Sequence, residues 1–204
     1  MRRRLITLTL LLASMSACAD ELITRIQQQL SDAPVLRGEF VQTRELAGLK
    51  KPLKSSGRML VDKTRGVLWK TEKPIAGTLR ISRQEIVQKD GQQILMRLSA
   101  EKEPVVKTVG SVLFSLFAGD LATLERYFSH TGSLQRRDGQ RGWELQLTPR
   151  ESALARLIQR IELKGSSTAE EVVLKAESGD LTRIEFRRVS TASTLSAAEV
   201  AEFE

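Results

Sequence analysis

The sequence predicts an α+β fold, mainly antiparallel β, in which one curved sheet carries helices on one face. Three observations lead there. Short runs that alternate apolar and polar residues, separated by Gly, Pro or a KDG turn, fill the chain from Leu36 to Ser99. Helical periodicity is confined to the start of the chain and to one long apolar segment in its middle, after which strand-like runs resume. No repeat and no linker rich in Pro, Gly or Ser interrupts this order, so residues 20–204 are expected to form a single domain. A chain of 204 residues, 41% apolar and 28% charged, is long enough for an ordinary core.

The first nineteen residues, MRRRLITLTLLLASMSACA, have a basic start, an apolar centre from Leu5 to Ala13 and small residues at the end. That is the pattern of a secretory signal, too short to cross a bilayer as a stable helix. Two processing sites overlap in it. Ala17-Cys18-Ala19 is an A-x-A site that would start the mature chain at Asp20, and Met15-Ser16-Ala17-Cys18 is a lipobox with Met where Leu, Val or Ile is usual. On the first reading the only cysteine leaves with the signal, which removes disulfides and Cys-ligated metals from consideration. Loss of three of the 32 basic residues leaves 29 against 25 acidic ones, a net charge of about +4 in place of +7. That is little for a polyanion partner.

DELITRIQQQLSD, residues 20–32, places Leu22, Ile23, Ile26 and Leu30 at helical spacing and ends near Ala33-Pro34, so it reads as an amphipathic helix. Six strands follow: GEFVQT, GRMLVD, GVLWKT, GTLRIS, EIVQK and QILMRLS. After Pro104, Val112, Leu113, Leu116 and Phe117 make one apolar helical face, continued by Leu121, Leu124, Tyr127 and Phe128 in a second segment. Strands resume as SLQRR, GWELQLTP, QRIELKG, EEVVLKAE and LTRIEFRRV, with RESALARLI as a short helical turn and KAESGDLTRI as a hairpin. A sheet of this kind either closes on a packed interior or stays partly open with helices over its concave side, which creates an apolar cavity.

Little in the chain resembles catalytic machinery. The single histidine, His130 in FSHTGS, is expected in a surface loop, and no G-x-S-x-G-like turn supplies a nucleophile. No metal is expected, because one His and scattered carboxylates lack ligand spacing. The glycines lie singly at turns and form no phosphate loop. Glu170-Glu171 and the pair Glu199 and Glu202 read as solvated faces. Lys50, Lys51 and Lys54, and Arg136-Arg137, lack the interleaved aromatics of nucleic-acid readers, and export argues against that partner. What remains is the apolar stripe VLFSLF and the strand residues Phe40, Met59, Val61, Val67, Trp69, Leu79 and Ile81, which are either plain core or the wall of an incompletely filled cavity.

Several motifs in order resemble the LolA family, periplasmic carriers that take lipoproteins from the inner membrane toward the outer-membrane receptor LolB. They are Phe40-x-Gln42, Gly57-x-Met59 seventeen residues on, Trp69 twelve residues after Gly57, and Pro74 five after Trp69. SVLFSLFAGD stands in the place of the family's cavity-facing helix, and LQLTPR resembles its strand ending in L-T-P-basic. The resemblance spans about Asp20 to Arg188. It implies a half-open β-barrel of about eleven strands under a helical lid, whose apolar inner face takes acyl chains without a cofactor. The acyl site would comprise Leu30, Phe40, Met59, Val61, Val67, Trp69, Leu79, Ile81, Val112, Leu113, Leu116 and Phe117.

The implied function is a non-enzymatic periplasmic carrier, acting as a monomer between an inner-membrane releasing transporter and an outer-membrane receptor. Two departures mark a divergent relative. Where the family has an arginine six residues before the tryptophan, latching the lid through backbone carbonyls, this chain has Lys63, without the planar fork of donors, and Arg65 two residues later as a substitute. The stretch QEIVQKDGQQ after Pro74 is mostly polar and lacks the expected aromatics. Other readings are a LolB-like receptor anchored at Cys18, an envelope structural module with a filled core and, least supported, a lipid hydrolase using His130.

Overall fold

The computed structural model describes residues 14–91, 93–102, 104–137 and 139–203. Residues 1–13, most of the stretch expected to be a secretory signal, lie outside them. The chain opens with helix α1 (Ser14–Gln29), then six strands: β1 (Val35–Glu45), β2 (Leu53–Asp62), β3 (Gly66–Lys73), β4 (Gly77–Ile81), β5 (Glu85–Asp90) and β6 (Gln93–Ser99). Helices α2 (Pro104–Ala118) and α3 (Leu121–Tyr127) follow. Five more strands then alternate with one short helix: β7 (Phe128–Arg137), β8 (Gln140–Pro149), α4 (Ser152–Ala155), β9 (Ile158–Gly165), β10 (Ala169–Ala176) and β11 (Leu181–Ala192). Helix α5 (Ala197–Glu202) ends the chain.

All eleven strands belong to one antiparallel sheet in the order β6-β5-β4-β3-β2-β1-β11-β10-β9-β8-β7. The two meanders are joined by β1 and β11, which pair along almost their whole length from Val35↔Ala192 to Glu45↔Leu181. The edges, β6 and β7, do not pair with each other. The sheet is therefore a half-open barrel, and α2 and α3 run from one free edge to the other as its lid. The predicted α+β fold and its six and five strands are observed.

Where sequence and structure differ, packing decides. Phe128 does not continue the second helical segment but starts β7, and His130 is a strand residue with a side chain 5% exposed, not a loop residue. Its ring lies 3.5 Å from the Glu125 carboxylate. Gly57 sits at an irregularity between β2 and β3, where a Cβ would come within 1.9 Å of the Lys70 carbonyl oxygen, so no side chain fits there. The G-x-M motif thus records a close approach of two backbones.

The C-terminal helix is a further difference. Glu199 and Glu202 belong to α5, which docks on the convex face of the sheet through Phe203 against Val35, Leu60 and Leu68. Ser196 and Glu199 form a capping box. Arg37 grips Glu199 with two bonds, at 2.5 and 2.6 Å, and Lys70 meets Glu202 at 2.5 Å. The Arg37 guanidinium, followed by the backbone N–H of Ser196, lowers the Glu199 carboxyl from 4.5 to about 2. A carboxylate depressed on folding contributes stability above its unfolded pKa and loses it as pH falls through the folded one. The gap in Tm between wild type and Arg37→Ala is therefore expected to hold down to about pH 4.5 and to close toward pH 2. Thermal melts across that range check this.

Candidate functional site

Strand alternation sorts the side chains of β1–β5 onto two faces. Leu36, Phe40, Met59, Val61, Val67, Trp69, Ile81 and Ile86 point to the concave side, where they form one buried cluster with Val106, Phe114 and Ala118 of α2. Residues between them, such as Leu60, Leu68 and Arg80, face the convex side and α5. Cross-strand pairing places Met59 opposite Trp69, and Trp69 opposite Leu79.

The centre of the concave face is aromatic. Trp69 stacks on Phe40 with ring centroids 3.7 Å apart and meets Phe117 of α2 at 5.0 Å. Phe186 of β11 closes the group edge-on, 6.3 Å from Trp69 and 6.1 Å from Phe117. Such tilted and edge contacts suit the ring quadrupoles. Beside this group lies a cleft of ≈ 30 Å³, bordered by Leu30, Leu36, Met59, Phe117, Phe186 and Val189. That is room for one or two waters and not for a hydrocarbon chain.

The twelve residues singled out in the sequence do not share one cluster. Phe40, Met59, Val61, Val67, Trp69, Leu79, Ile81, Leu113 and Phe117 gather between α2 and the first meander. Leu30, Val112 and Leu116 belong to a second core, where α1, α2 and α3 pack on β8–β10. The single apolar face expected for α2 is thus two faces, because the helix is inserted between two cores; a helix apolar on most sides is a buried one. Phe186 was missed, and its alternation within LTRIEFRRV is the signal that could have found it, since Ile184 and Phe186 share a face.

Side chains do much of the work of holding α2 over the sheet. Among the described residues no backbone–backbone hydrogen bond joins α2 to the sheet. Arg83, in the turn between β4 and β5, lies over the Phe114 ring at 4.3 Å and reaches Asp120 at 3.8 Å. Gly110 brings α2 against the Ser82 carbonyl, 2.9 Å from where a Cβ would stand. Gln27 of α1 accepts from the Leu121 N–H at 3.3 Å.

Lys63 and Arg65 lie in the turn between β2 and β3, not on a strand. The Lys63 ammonium donates to the Ser31 carbonyl at 3.1 Å and its backbone N–H to the Pro34 carbonyl at 3.0 Å, so it ties the turn to the segment after α1. Arg65 is exposed, and its backbone N–H donates to the Asp62 carboxylate at 2.8 Å. Burial alone would raise the Asp62 carboxyl, but bonds from the Thr64 hydroxyl and the Arg65 and Thr64 N–H groups outweigh it and lower the pKa.

Residues 13–201 match the family profile described as outer membrane lipoprotein carrier protein LolA-like. No curated protein matches the sequence. Among solved structures, a Vibrio parahaemolyticus domain provisionally described as an outer membrane lipoprotein-sorting protein is similar over 92% of this chain and 97% of its own, with a TM-score of 0.51 at 9% identity. A LolA superfamily protein from Nitrosomonas europaea covers 88% of this chain and 96% of its own, with a TM-score of 0.48 at 9% identity. At such identities the Vibrio structure supports the fold alone.

Proposed function

The chain belongs to the family of LolA-like outer membrane lipoprotein carrier proteins, and from that membership we propose that it is a periplasmic carrier that shelters the acyl chains of a lipoprotein or lipid between α2 and the concave face of β1–β6. One observation carries the reading: the layer under α2 is apolar and aromatic, and among the described residues no backbone–backbone hydrogen bond fastens α2 over it. Hiding a methylene from water is worth about 0.8 kcal/mol, so a long acyl chain crossing an aqueous compartment has a strong drive into such a layer.

The cleft beside Phe117 offers only ≈ 30 Å³, so loading there means that α2 swings away and the chain replaces Phe117 and its neighbours against Trp69. The empty protein then recovers its own packing when α2 returns. That keeps filled and empty states close in free energy and permits release to a receptor without catalysis or a cofactor in the carrier. An inner-membrane releasing transporter would load it and an outer-membrane receptor would unload it.

Native mass spectrometry of protein purified from the periplasm without detergent tests the proposal. A bound lipid or acylated peptide is expected. A single apo mass from cells making lipoproteins would overturn it in favour of the second reading, an envelope structural module, which the small volume of that cleft favours.

A further inference from the structure

Of seven exposed large apolar side chains among the described residues, five gather on three adjacent hairpins; Leu157 ahead of β9 and Leu134 near the β7–β8 turn lie apart from them. Leu49, Leu53, Ile75, Ile94 and Leu95 are 45% to 80% exposed. Strand direction puts all five at one end of the sheet, on the successive hairpins that join β1 to β2, β3 to β4 and β5 to β6. Because Ser56 pairs with Lys73, the tip holding Leu53 stands beside the tip holding Ile75, one strand spacing away. At the opposite end the turns 63–65 and 82–84 carry only polar residues. Single exposed apolar residues are ordinary, whereas three adjacent tips that each present them make a continuous rim.

The same tips carry Lys50, Lys51, Lys54 and Lys73, all exposed. The carboxylates on these hairpins are Glu45, Glu72 and Asp90, and Glu72 is taken up by Arg58 at 2.6 Å, so cations prevail. Nucleic acid does not account for the lysines, and the cavity does not account for Leu49 or Ile75. We propose that this end of the sheet is an interfacial surface that docks on an anionic phospholipid bilayer, with leucine and isoleucine side chains entering the headgroup boundary and lysines meeting lipid phosphates. Apolar insertion beside a polybasic segment is the combination that gives reversible attachment to such a surface. The inference goes beyond the carrier reading and needs no acyl chain in the interior.

Co-sedimentation of the mature chain with vesicles tests it, using phosphatidylglycerol mixed with phosphatidylcholine against phosphatidylcholine alone. Binding to the mixed vesicles is expected, weakened by salt. At about fivefold per lysine, Lys50→Ala, Lys51→Ala and Lys54→Ala together should cost on the order of 100-fold in affinity. Leu49→Ser with Ile75→Ser should reduce binding at low and high salt alike. Phe117→Asp should sediment like wild type, which separates rim attachment from uptake under α2. No sedimentation by wild type, equal sedimentation with phosphatidylcholine alone, wild-type affinity in the lysine variant, or loss of binding in Phe117→Asp would each overturn the rim assignment.

Discussion

Phe117→Asp is expected to give a folded protein that loads no acyl chain. Phe117 is half-buried on α2 and meets the sheet's aromatic rings at Trp69 and Phe186, at 5.0 and 6.1 Å between ring centroids. In the empty protein a carboxylate there can turn to the mouth of the cleft and stay hydrated, so the strands keep their ladders. In a loaded protein it would lie against hydrocarbon, and an unpaired buried charge costs several kcal/mol. Native mass spectrometry should find only the apo species while far-UV circular dichroism matches wild type. Loading at the wild-type level would remove α2 from the acyl site.

Trp69→Ala is expected to cost about 3–5 kcal/mol of stability, the range for a large aromatic removed from a packed core. Trp69 is the hub of the interior: its ring contacts Phe40, Phe117 and Phe186, which come from β1, α2 and β11, and it is 8% exposed. Its loss would leave a hole between lid and sheet that rigid strands cannot close. Urea titration should show a lower midpoint with an unchanged slope. A midpoint near that of wild type would mean that α2 is already lifted from the sheet in solution.

Much of this was legible in the sequence. The strand runs from GEFVQT to LTRIEFRRV alternate with a period of two, and that periodicity placed Phe40, Met59, Val67 and Trp69 on one face, where the structure has them. Proline and glycine marked the turns. The short helix α5 was not legible, because AAEVAE offers only one apolar residue larger than Ala and its docking depends on Phe203, Arg37 and Lys70, the last two more than a hundred residues upstream. The histidine was misplaced for a similar reason: FSHTGS looks like a loop until β8 pairs with it.

The sequence by itself determined most of the strand runs and their alternation, the helices ahead of β1 and after β6, and the resemblance to the family, since these follow from local periodicity and from motif order. Only the tertiary structure decided that β1 and β11 join the two meanders, that α2 is wedged between two cores rather than lying on one, that Lys63 reaches the Ser31 carbonyl, and that exposed leucines and lysines meet on one rim. Those outcomes depend on which distant segments pair and on how much space side chains leave between layers, and neither quantity is encoded in any short window of sequence.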